Sequence, residues 1–260
     1  MRAAFVTLPL LAGCQLVFPL DGPGEKTTLQ HDEDGDGIPD VDDLCPHVNG
    51  AAQADGDKDG IGDECDPFPI DGSDEHHFFA FQDGLFDPTV LDDTLGDFAS
   101  KPDALVMGAV DGGEQWLLSV DPILATAYDL EFGFQIVEPN PDAGYHEAGL
   151  VISHVTEDTG GRGRICVAGY DPQATAYLDT VENNGTPDRR VPEGTMFATI
   201  ARLHLTRTAN LGTCRLQLDG AGSASLNFAD TYTDAGRIGL TSAFARVHIR
   251  YLWIYIHRGV

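Results

Sequence analysis

The strongest chemical pattern in the sequence is a set of acidic residues that recurs at fixed spacing. Counted from Asp32, ligand-type residues occupy positions 1, 3, 5, 7, 9 and 12 of a loop, and the same frame begins again at Asp55. The two sets are Asp32, Asp34, Asp36, Ile38, Asp40 and Asp43, and then Asp55, Asp57, Asp59, Ile61, Asp63 and Asp66. A calcium ion takes roughly six to eight oxygen ligands, and alternate residues of a tight loop can point their oxygens at one centre. The spacing therefore predicts a calcium-binding array that holds two or more ions.

The elements around these residues must let the chain turn sharply without a helix. Both loops have a glycine at position 6, Gly37 and Gly60, and the carbonyl of the next residue, Ile38 or Ile61, completes the ligand set. An EF-hand shares this spacing, but it requires a helix on each flank and usually a Glu at position 12. Position 12 is Asp in both copies, and prolines at 39, 46, 67 and 69 oppose long flanking helices. The array is therefore predicted to have little regular structure.

The Asp-rich segment closely resembles thrombospondin type 3 repeats. Starting at Asp32, the first copy reads Asp-x-Asp-x-Asp-Gly-x-x-Asp-x-x-Asp-x-Cys-Pro. Starting at Asn49, the second copy reads Asn-x-x-x-Gln-x-Asp-x-Asp-x-Asp-Gly-x-Gly-Asp-x-Cys-Asp. Two copies in the same register, 23 residues apart, are far beyond chance. The resemblance implies a chain that wraps around calcium ions, here acting as a stalk.

This resemblance sets the limits of the segment at residues 32–75 and implies a disulfide between Cys45 and Cys65. The segment has few apolar residues, so metal binding would supply most of its folding free energy. Beyond the second copy, Asp71 and Asp74 are candidates for completing an outer site. The alternative interpretation is a disordered acidic linker.

The N-terminus has the features of an export signal. Residues 3–11 form a short apolar run, too short to span a bilayer, and the run ends in Leu-Ala-Gly followed by Cys14. This pattern resembles a bacterial lipobox, which implies a signal peptide at 1–13, lipidation of Cys14 and an outer-membrane or cell-surface location. An ordinary signal peptide or a buried N-terminal strand are the alternatives. Residues 14–31 contain many turn-forming residues and are predicted to be a flexible tether.

The charge distribution excludes nucleic acid as a partner. The chain has 42 acidic against 15 basic residues and a formal net charge of −27, whereas phosphate backbones are held by Lys and Arg. Eighteen of the acidic residues lie in residues 20–75, so the remainder of the chain is only moderately acidic. A membrane contact would therefore rest on the lipid anchor and not on electrostatics.

Residues 76–260 are predicted to form an antiparallel β-sandwich. Short runs rich in β-branched and aromatic residues alternate with Gly, Pro, Asn and Asp. The candidate strands are 103–108, 115–120, 128–136, 148–153, 164–170, 195–200, 201–207, 213–219, 236–241 and 246–256. Sustained helical periodicity is absent from this part of the sequence. On the last candidate strand Tyr251, Trp253 and Tyr255 alternate, which favours core positions over a sugar-stacking surface.

Several of these runs resemble strands of concanavalin-type jelly rolls, the lectin and glucanase superfamily. They are Tyr-Asp-Leu-Glu-Phe-Gly-Phe from Tyr128, Glu-Ala-Gly-Leu-Val-Ile from Glu147, Gly-Arg-Ile-Gly-Leu-Thr from Gly236 and the run from Ala245. The resemblance implies a two-sheet jelly roll with a lectin-like or glycan-active role. The fold class predicted for the chain is therefore mainly β: an Asp-rich calcium-wrapped segment followed by a jelly-roll sandwich.

The remaining cysteines, Cys166 and Cys214, each lie in a predicted strand. An exported chain meets an oxidising compartment, which favours a disulfide between them, but two buried thiols are the alternative. The paired-carboxylate string Glu-x-Asp-x-x-Glu, which retaining glucanases of this superfamily carry, is absent from the sequence. The sequence therefore predicts a non-catalytic adhesion, glycan-binding or protein-binding role, with a divergent glycan-active enzyme as the alternative.

Overall fold

The structure is a computed structural model. It describes residues 31–72, 74–81, 91–92, 96–108, 113–119, 123, 125, 127–155, 162–171, 176–182, 189–190, 198–229 and 236–258. The predicted signal peptide at 1–13, the lipidation site Cys14 and the tether as far as residue 30 lie outside these ranges. Within them the chain forms strands, turns and bends, and no helix. Consequently, no helix able to cross a membrane is found in this part of the chain.

Fifteen strands are present in the described residues. In chain order they are β1 (Asp74–Ala80), β2 (Leu91–Asp92), β3 (Phe98–Lys101), β4 (Ala104–Met107), β5 (Glu114–Ser119), β6 (Ala127–Pro139), β7 (His146–Val155), β8 (Arg162–Tyr170), β9 (Ala176–Glu182), β10 (Arg189–Arg190), β11 (Ile200–Thr208), β12 (Leu211–Leu218), β13 (Ser223–Ala229), β14 (Arg237–Ala243) and β15 (Ala245–His257). The strands build two antiparallel sheets, as the sequence predicted.

Sheet 1 has the order β13-β12-β11-β6-β15-β4-β3, and β1 pairs with the second half of β15. Sheet 2 has the order β10-β9-β8-β7-β14-β5-β2. Successive side chains of a strand point to opposite faces of its sheet, so every second residue of each sheet faces the other sheet. Phe132 and Phe134 on β6, together with Leu252, Ile254 and Ile256 on β15, fill the core from sheet 1.

A disulfide joins the two sheets across this core. Cys166 on β8 of sheet 2 is bonded to Cys214 on β12 of sheet 1, and both side chains are fully buried. The structure therefore has the disulfide and not the two buried thiols.

Of the segment predicted at residues 32–75, the described residues up to 72 have turns and bends but no strand or helix, as the prolines predict, whereas Asp74 and Glu75 belong to β1. In the structure the Asp-rich segment therefore comprises residues 31–72. The disulfide between Cys45 and Cys65 is present. The segment lies against the face of sheet 1 that points away from the core, which we call the outer face of sheet 1. Ile61 is 1% exposed there and packs against Trp253 and Tyr255 of β15.

This packing corrects the prediction of a projecting stalk. His47 stacks on the Trp253 ring at a centroid distance of 4.6 Å, and Phe68 stacks on His257 at 4.0 Å. An ion pair between Arg250 and Glu33, at 3.1 Å, adds a contact nearer the start of the segment. The aromatic residues of β15 therefore supply an apolar surface on which the segment, poor in apolar residues of its own, is ordered.

Candidate functional site

The two Asp-rich loops have the same backbone geometry at their tightest point. Gly37 and Gly60, both at position 6, have φ angles of +96° and +93°. A side chain rarely adopts this conformation, so glycine is needed at this position of each loop. The repeated sequence frame therefore produces a repeated local structure.

Hydrogen bonds within the two loops also correspond. The carboxylate of Asp32 accepts hydrogen bonds from the backbone amides of Gly35 and Gly37, at 2.8 and 2.9 Å. Asp55 accepts hydrogen bonds from the amides at the same two loop positions, at 2.6 and 3.1 Å. These bonds tighten each loop around the side chains at positions 1, 3 and 5.

The structure brings together three carboxylates in each loop. In the first loop, oxygens of Asp32, Asp34 and Asp36 all lie within 4.8 Å of one another, and in the second loop Asp55, Asp57 and Asp59 do the same. Two oxygens on opposite sides of a calcium ion, each about 2.4 Å from it, are about 4.8 Å apart. The spacing of these oxygens therefore suits one such ion in each loop.

Several oxygens in these loops are buried without a partner. The Oδ2 atoms of Asp34, Asp57 and Asp59 are inaccessible to solvent and accept no hydrogen bond from the described residues. Burial, together with the charge of neighbouring carboxylates, raises the pKa of Asp34 and of Asp59 to about 6. A buried, unpaired carboxylate oxygen is unfavourable, whereas a bound cation satisfies it. The donor set, all oxygen and rich in charge, fits the hard cation that the sequence predicted.

The predicted ligands at positions 9 and 12 are placed differently from those at 1, 3 and 5. At position 9, Asp40 accepts a hydrogen bond from the Glu33 amide at 2.9 Å, and Asp63 accepts one from the Gly56 amide at 2.8 Å. At position 12, Asp43 accepts a hydrogen bond from the Cys45 amide at 2.8 Å. Asp40, Asp43 and Asp63 lie outside the groups of three converging carboxylates found among the described residues. The carbonyls of Ile38 and Ile61 at position 7 remain predicted ligands.

Asp66, at position 12 of the second loop, belongs to a further acidic group. Oxygens of Asp59, Asp66 and Asp74 lie within 4.8 Å of one another. Asp74 is the first residue of β1, so this group joins the Asp-rich segment to sheet 1. The Tyr255 hydroxyl is 3.1 Å from Asp66 and 2.5 Å from Asp74, and His257 Nδ1 is 2.5 Å from the other oxygen of Asp74.

Between the Asp-rich segment and sheet 1 there is an open cleft of about 620 Å³. Its sheet wall carries Asp129 and Glu131 of β6 with Arg202 and His204 of β11. His204 and Asp129 are hydrogen-bonded at 2.8 Å. These four side chains make the sheet wall polar, and the opposite wall includes Asp66 of the second Asp-rich loop.

A second polar site lies on the outer face of sheet 2, the face turned away from sheet 1. The Tyr177 hydroxyl of β9 donates a 2.6 Å hydrogen bond to Glu147 of β7. These strands are not neighbours, because β8 runs between them with Gly169 paired to both residues. A Cβ at Gly169 would lie 3.0 Å from the Tyr177 hydroxyl and from Glu147 Cγ, so glycine makes room for the bond.

Burial raises the pKa of Glu147 to about 7, and the negative charge of Asp179 contributes to the rise. Asp179 is a buried residue of β9, two positions beyond Tyr177 on the same face. At the nearby edge, Tyr145 is exposed and packs edge-on against Phe244 at 5.1 Å. Because Tyr177 and Asp179 are buried, Glu147 and Tyr145 are the side chains of this group that a ligand could contact directly.

Sequence reasoning found only part of this second site: Tyr145 and Tyr177 are aromatic residues near predicted strand ends, where a sugar ring could stack. Glu147 appeared in a strand motif but was given no role, and the strand that carries Tyr177 and Asp179 was not predicted. The signal was the alternation Ala176-Tyr-Leu-Asp-Thr, in which Ala176 and Leu178 face the core. That alternation places Tyr177 and Asp179 together on the opposite face.

Solved structures share this architecture at very low sequence identity. Peanut lectin, solved with a nonapeptide, matches with a TM-score of 0.51 and 12% identity over 70% of this chain and 97% of its own. The acidic lectin of winged bean, complexed with methyl-α-D-galactose, gives 0.52 and 12% over 70% and 98%. A lectin of Bauhinia forficata, in complex with GalNAc, gives 0.51 and 12% over 71% and 100%.

These likenesses show the fold: the chain contains a legume-lectin-like, concanavalin-type β-sandwich. No protein-family model matches the chain, and no curated protein matches it in sequence.

Proposed function

We propose that this chain is a calcium-binding protein of the cell envelope whose β-sandwich binds a glycan or a surface protein. The observation that carries the calcium proposal is the pair of loops in which three carboxylates converge and keep buried oxygens without partners. The resemblance to thrombospondin type 3 repeats supports the same ion and the same residues. Asp32, Asp34 and Asp36 would hold one ion, and Asp55, Asp57 and Asp59 another.

Isothermal titration of the chain with CaCl₂ tests the calcium proposal. We expect saturable binding of two or more ions, with each loop weakened separately by Asp34→Asn and by Asp57→Asn. Asp42→Asn is the matched control, because Asp42 is an exposed acid of the same segment outside the ligand frame. No saturable binding at millimolar calcium would reject the proposal.

The glycan-binding part of the proposal rests on the sandwich and on the outer face of sheet 2. Two of the lectins with this fold were solved with a galactoside or GalNAc bound. Tyr145 is exposed and offers a stacking surface, and the partly exposed Glu147, held by the buried Tyr177, offers a hydrogen-bonding group on the present sandwich. A glycan and matrix-protein array, probed with and without calcium, tests this part. Retention that Glu147→Gln or Tyr145→Ala reduces at least tenfold would support it, and no retained ligand would contradict it.

The location follows from the N-terminal pattern. We propose that Cys14 is lipidated after removal of residues 1–13 and anchors the protein at the outer membrane or cell surface. In a bacterial host that lipidates such proteins, the native chain should partition with membranes and Cys14→Ser should be released. Membrane partitioning that does not depend on Cys14 would reject the anchor.

A divergent glycan-active enzyme is the second candidate, and the raised pKa of Glu147 favours it. A carboxyl that is protonated near neutral pH can serve as a general acid, and Asp179 supplies a second carboxyl on the same face. Turnover of a glycan panel by the native chain, lost in both Glu147→Gln and Asp179→Asn, would establish this function. Retention without turnover would leave the binding role.

A further inference from the structure

The acidic group of Asp59, Asp66 and Asp74 differs from the two calcium loops because its residues come from two structural units. Asp59 and Asp66 belong to the Asp-rich segment, whereas Asp74 begins β1 and pairs with His257 of β15. The group is deeply buried: Asp66 is 7% exposed, and the side chain of Asp74 is fully covered. Three carboxylates therefore meet at the junction between the segment and the sandwich.

Two carboxylate oxygens in this group have no partner among the described residues. The Oδ2 atoms of Asp59 and Asp66 are inaccessible to solvent and accept no hydrogen bond, although the Oδ1 atom of each residue does. Tyr255 supplies one hydroxyl to two carboxylates, Asp66 and Asp74. Buried acids with unmet oxygens repel one another, and a divalent cation is the ligand that removes both penalties.

We propose that a divalent hard cation, Ca²⁺ in the exported protein, binds between Asp59, Asp66 and Asp74 and clamps the Asp-rich segment to the outer face of sheet 1. The Asp74 carboxylate is already oriented for this role, because Tyr255 and His257 each hold one of its oxygens. This proposal rests on the proposed calcium binding in that Asp59 also serves the second loop and Asp66 is the predicted ligand at position 12 of that loop. It adds a distinct site and a distinct consequence.

The consequence of the clamp concerns Trp253. Its ring is 1% exposed, covered by His47 and Ile61 of the Asp-rich segment. Tyr255, two residues further along β15, contacts the acidic group directly. An ion that holds Asp66 to Asp74 therefore holds the cover over Trp253, and its removal should let solvent reach the ring.

Trp253 can report on this event because the chain has only two tryptophans, the other being Trp116. In a Trp116→Phe background, acrylamide quenching of Trp253 and calcium stoichiometry by native mass spectrometry are measured for the full chain, for Asp74→Asn and for the control Asp42→Asn. We expect Asp74→Asn to bind one ion fewer and to show at least threefold stronger quenching at saturating calcium. Asp42→Asn should match the parent in both measurements.

Each result decides a different point. Unchanged stoichiometry in Asp74→Asn overturns the third site, and a lost ion with unchanged quenching overturns the clamp. Absence of any calcium binding by the parent chain overturns the proposed function itself. Should Asp74→Asn fail to fold, native crystals soaked in TbCl₃ decide instead: an anomalous peak between Asp59, Asp66 and Asp74 supports the site, and peaks confined to the two loops reject it.

Discussion

Buried carboxyl groups in this protein fall into two kinds that differ in what satisfies them. Asp34 and Asp59 keep buried oxygens without protein partners, which suits a cation. Glu147 has instead a hydrogen bond from the Tyr177 hydroxyl, and burial favours its neutral form. Burial raises the pKa of all three carboxyl groups, but a different ligand satisfies each kind. A metal ion suits Asp34 and Asp59 in the loops, and a proton suits Glu147 on sheet 2.

Glu147 should make stability fall as pH rises. Its pKa is about 7 in the folded protein against an ordinary value of 4.5, so the folded state binds more protons between these two values. The stabilisation is present below pH 4.5 and is lost by pH 7, by up to about 3 kcal/mol. In Glu147→Gln this loss is removed, so the unfolding free energy of the variant minus that of the parent should increase between pH 4.5 and 7. Urea denaturation at fixed calcium measures it.

Tyr177→Phe provides the control for this titration. The hydrogen bond from Tyr177 lowers the pKa of Glu147, so its removal should shift the pH window upward without abolishing it. A difference between Glu147→Gln and the parent that does not change with pH would show that folding does not shift the pKa of Glu147.

The two loop glycines should be needed for metal binding, and not for packing. A Cβ at Gly37 would meet no atom within 4 Å, and one at Gly60 would lie 3.8 Å from His76, so only the backbone conformation opposes alanine. The strain of a positive φ is about 1–2 kcal/mol, which corresponds to a roughly 5- to 30-fold loss of calcium affinity in the altered loop.

Gly144→Ala is the matched control for these substitutions, because a Cβ there also meets nothing and its φ is not in the left-handed region. Calorimetric titration of Gly37→Ala and Gly60→Ala should show one weakened site each. Unchanged affinity in both variants would show that the loops do not hold the ion in this conformation.

At the scale of elements, the two disulfides constrain different units. Cys45 and Cys65 close a loop within the Asp-rich segment, whereas Cys166 and Cys214 join β8 to β12 across the core. By chain entropy, sequence separations of 20 and 48 residues correspond to about 3 and about 4 kcal/mol of stabilisation. Loss of the first disulfide should therefore affect calcium binding by the segment, and loss of the second should affect the stability of the sandwich.

We expect the double variant Cys45→Ala/Cys65→Ala to lose calcium affinity while the sandwich keeps its thermal transition within a few degrees. Cys166→Ala/Cys214→Ala should lower that transition and leave calcium titration at low temperature unchanged. Differential scanning calorimetry and calorimetric titration of both variants measure the two effects. Equal effects on both readings would show that the segment and the sandwich unfold as one unit.

Local patterns predicted much of this architecture, but not its long-range contacts. The Asp frame, the loop glycines and most strands follow from residue spacing, because each depends on neighbours in sequence. The short strands β2, β3 and β10 were not predicted, and of the candidate strand at 195–200 only Ile200 lies in a described strand. The longer strands β1, β9 and β13 were also not predicted: β1 contains two histidines, and β13 reads Ser-Ala-Ser-Leu-Asn-Phe-Ala, with little β-branched character. Their conformation comes from pairing with β15, β8 and β12 respectively.

The aromatic alternation on β15 shows why the site at the junction could not be predicted. Burial of Tyr251, Trp253 and Tyr255 was expected from their pattern and is observed, but the core between the sheets is filled by Leu252 and Ile254. Sequence periodicity assigns residues to two faces and does not state what covers each face. The Asp-rich segment covers the aromatic face of β15. The contacting residues of the segment and of β15 are 180 or more positions apart along the chain.

For the whole molecule, the net charge of −27 combines two different surfaces. The Asp-rich segment concentrates acids, and two or three calcium ions there would reduce the net charge by four or six. The part of the outer face of sheet 1 that β15 forms is aromatic, and the segment packs on it. The segment therefore covers apolar surface of the sandwich, while the sandwich supplies the apolar contacts that the segment lacks.

Removal of the Asp-rich segment should expose this patch and cause self-association. A chain that starts at residue 74 retains all fifteen strands but loses the contacts of His47 and Ile61 with Trp253 and of Phe68 with Tyr255. Large contiguous apolar patches on a soluble monomer favour association, so we expect strong binding of the dye ANS and a concentration-dependent mass in light scattering. Adding Trp253→Thr and Tyr255→Thr to the shortened chain should restore a monomer, because threonine suits a strand and is polar. A shortened chain that stays monomeric and binds no ANS would show that the outer face of sheet 1 does not depend on the segment for its cover.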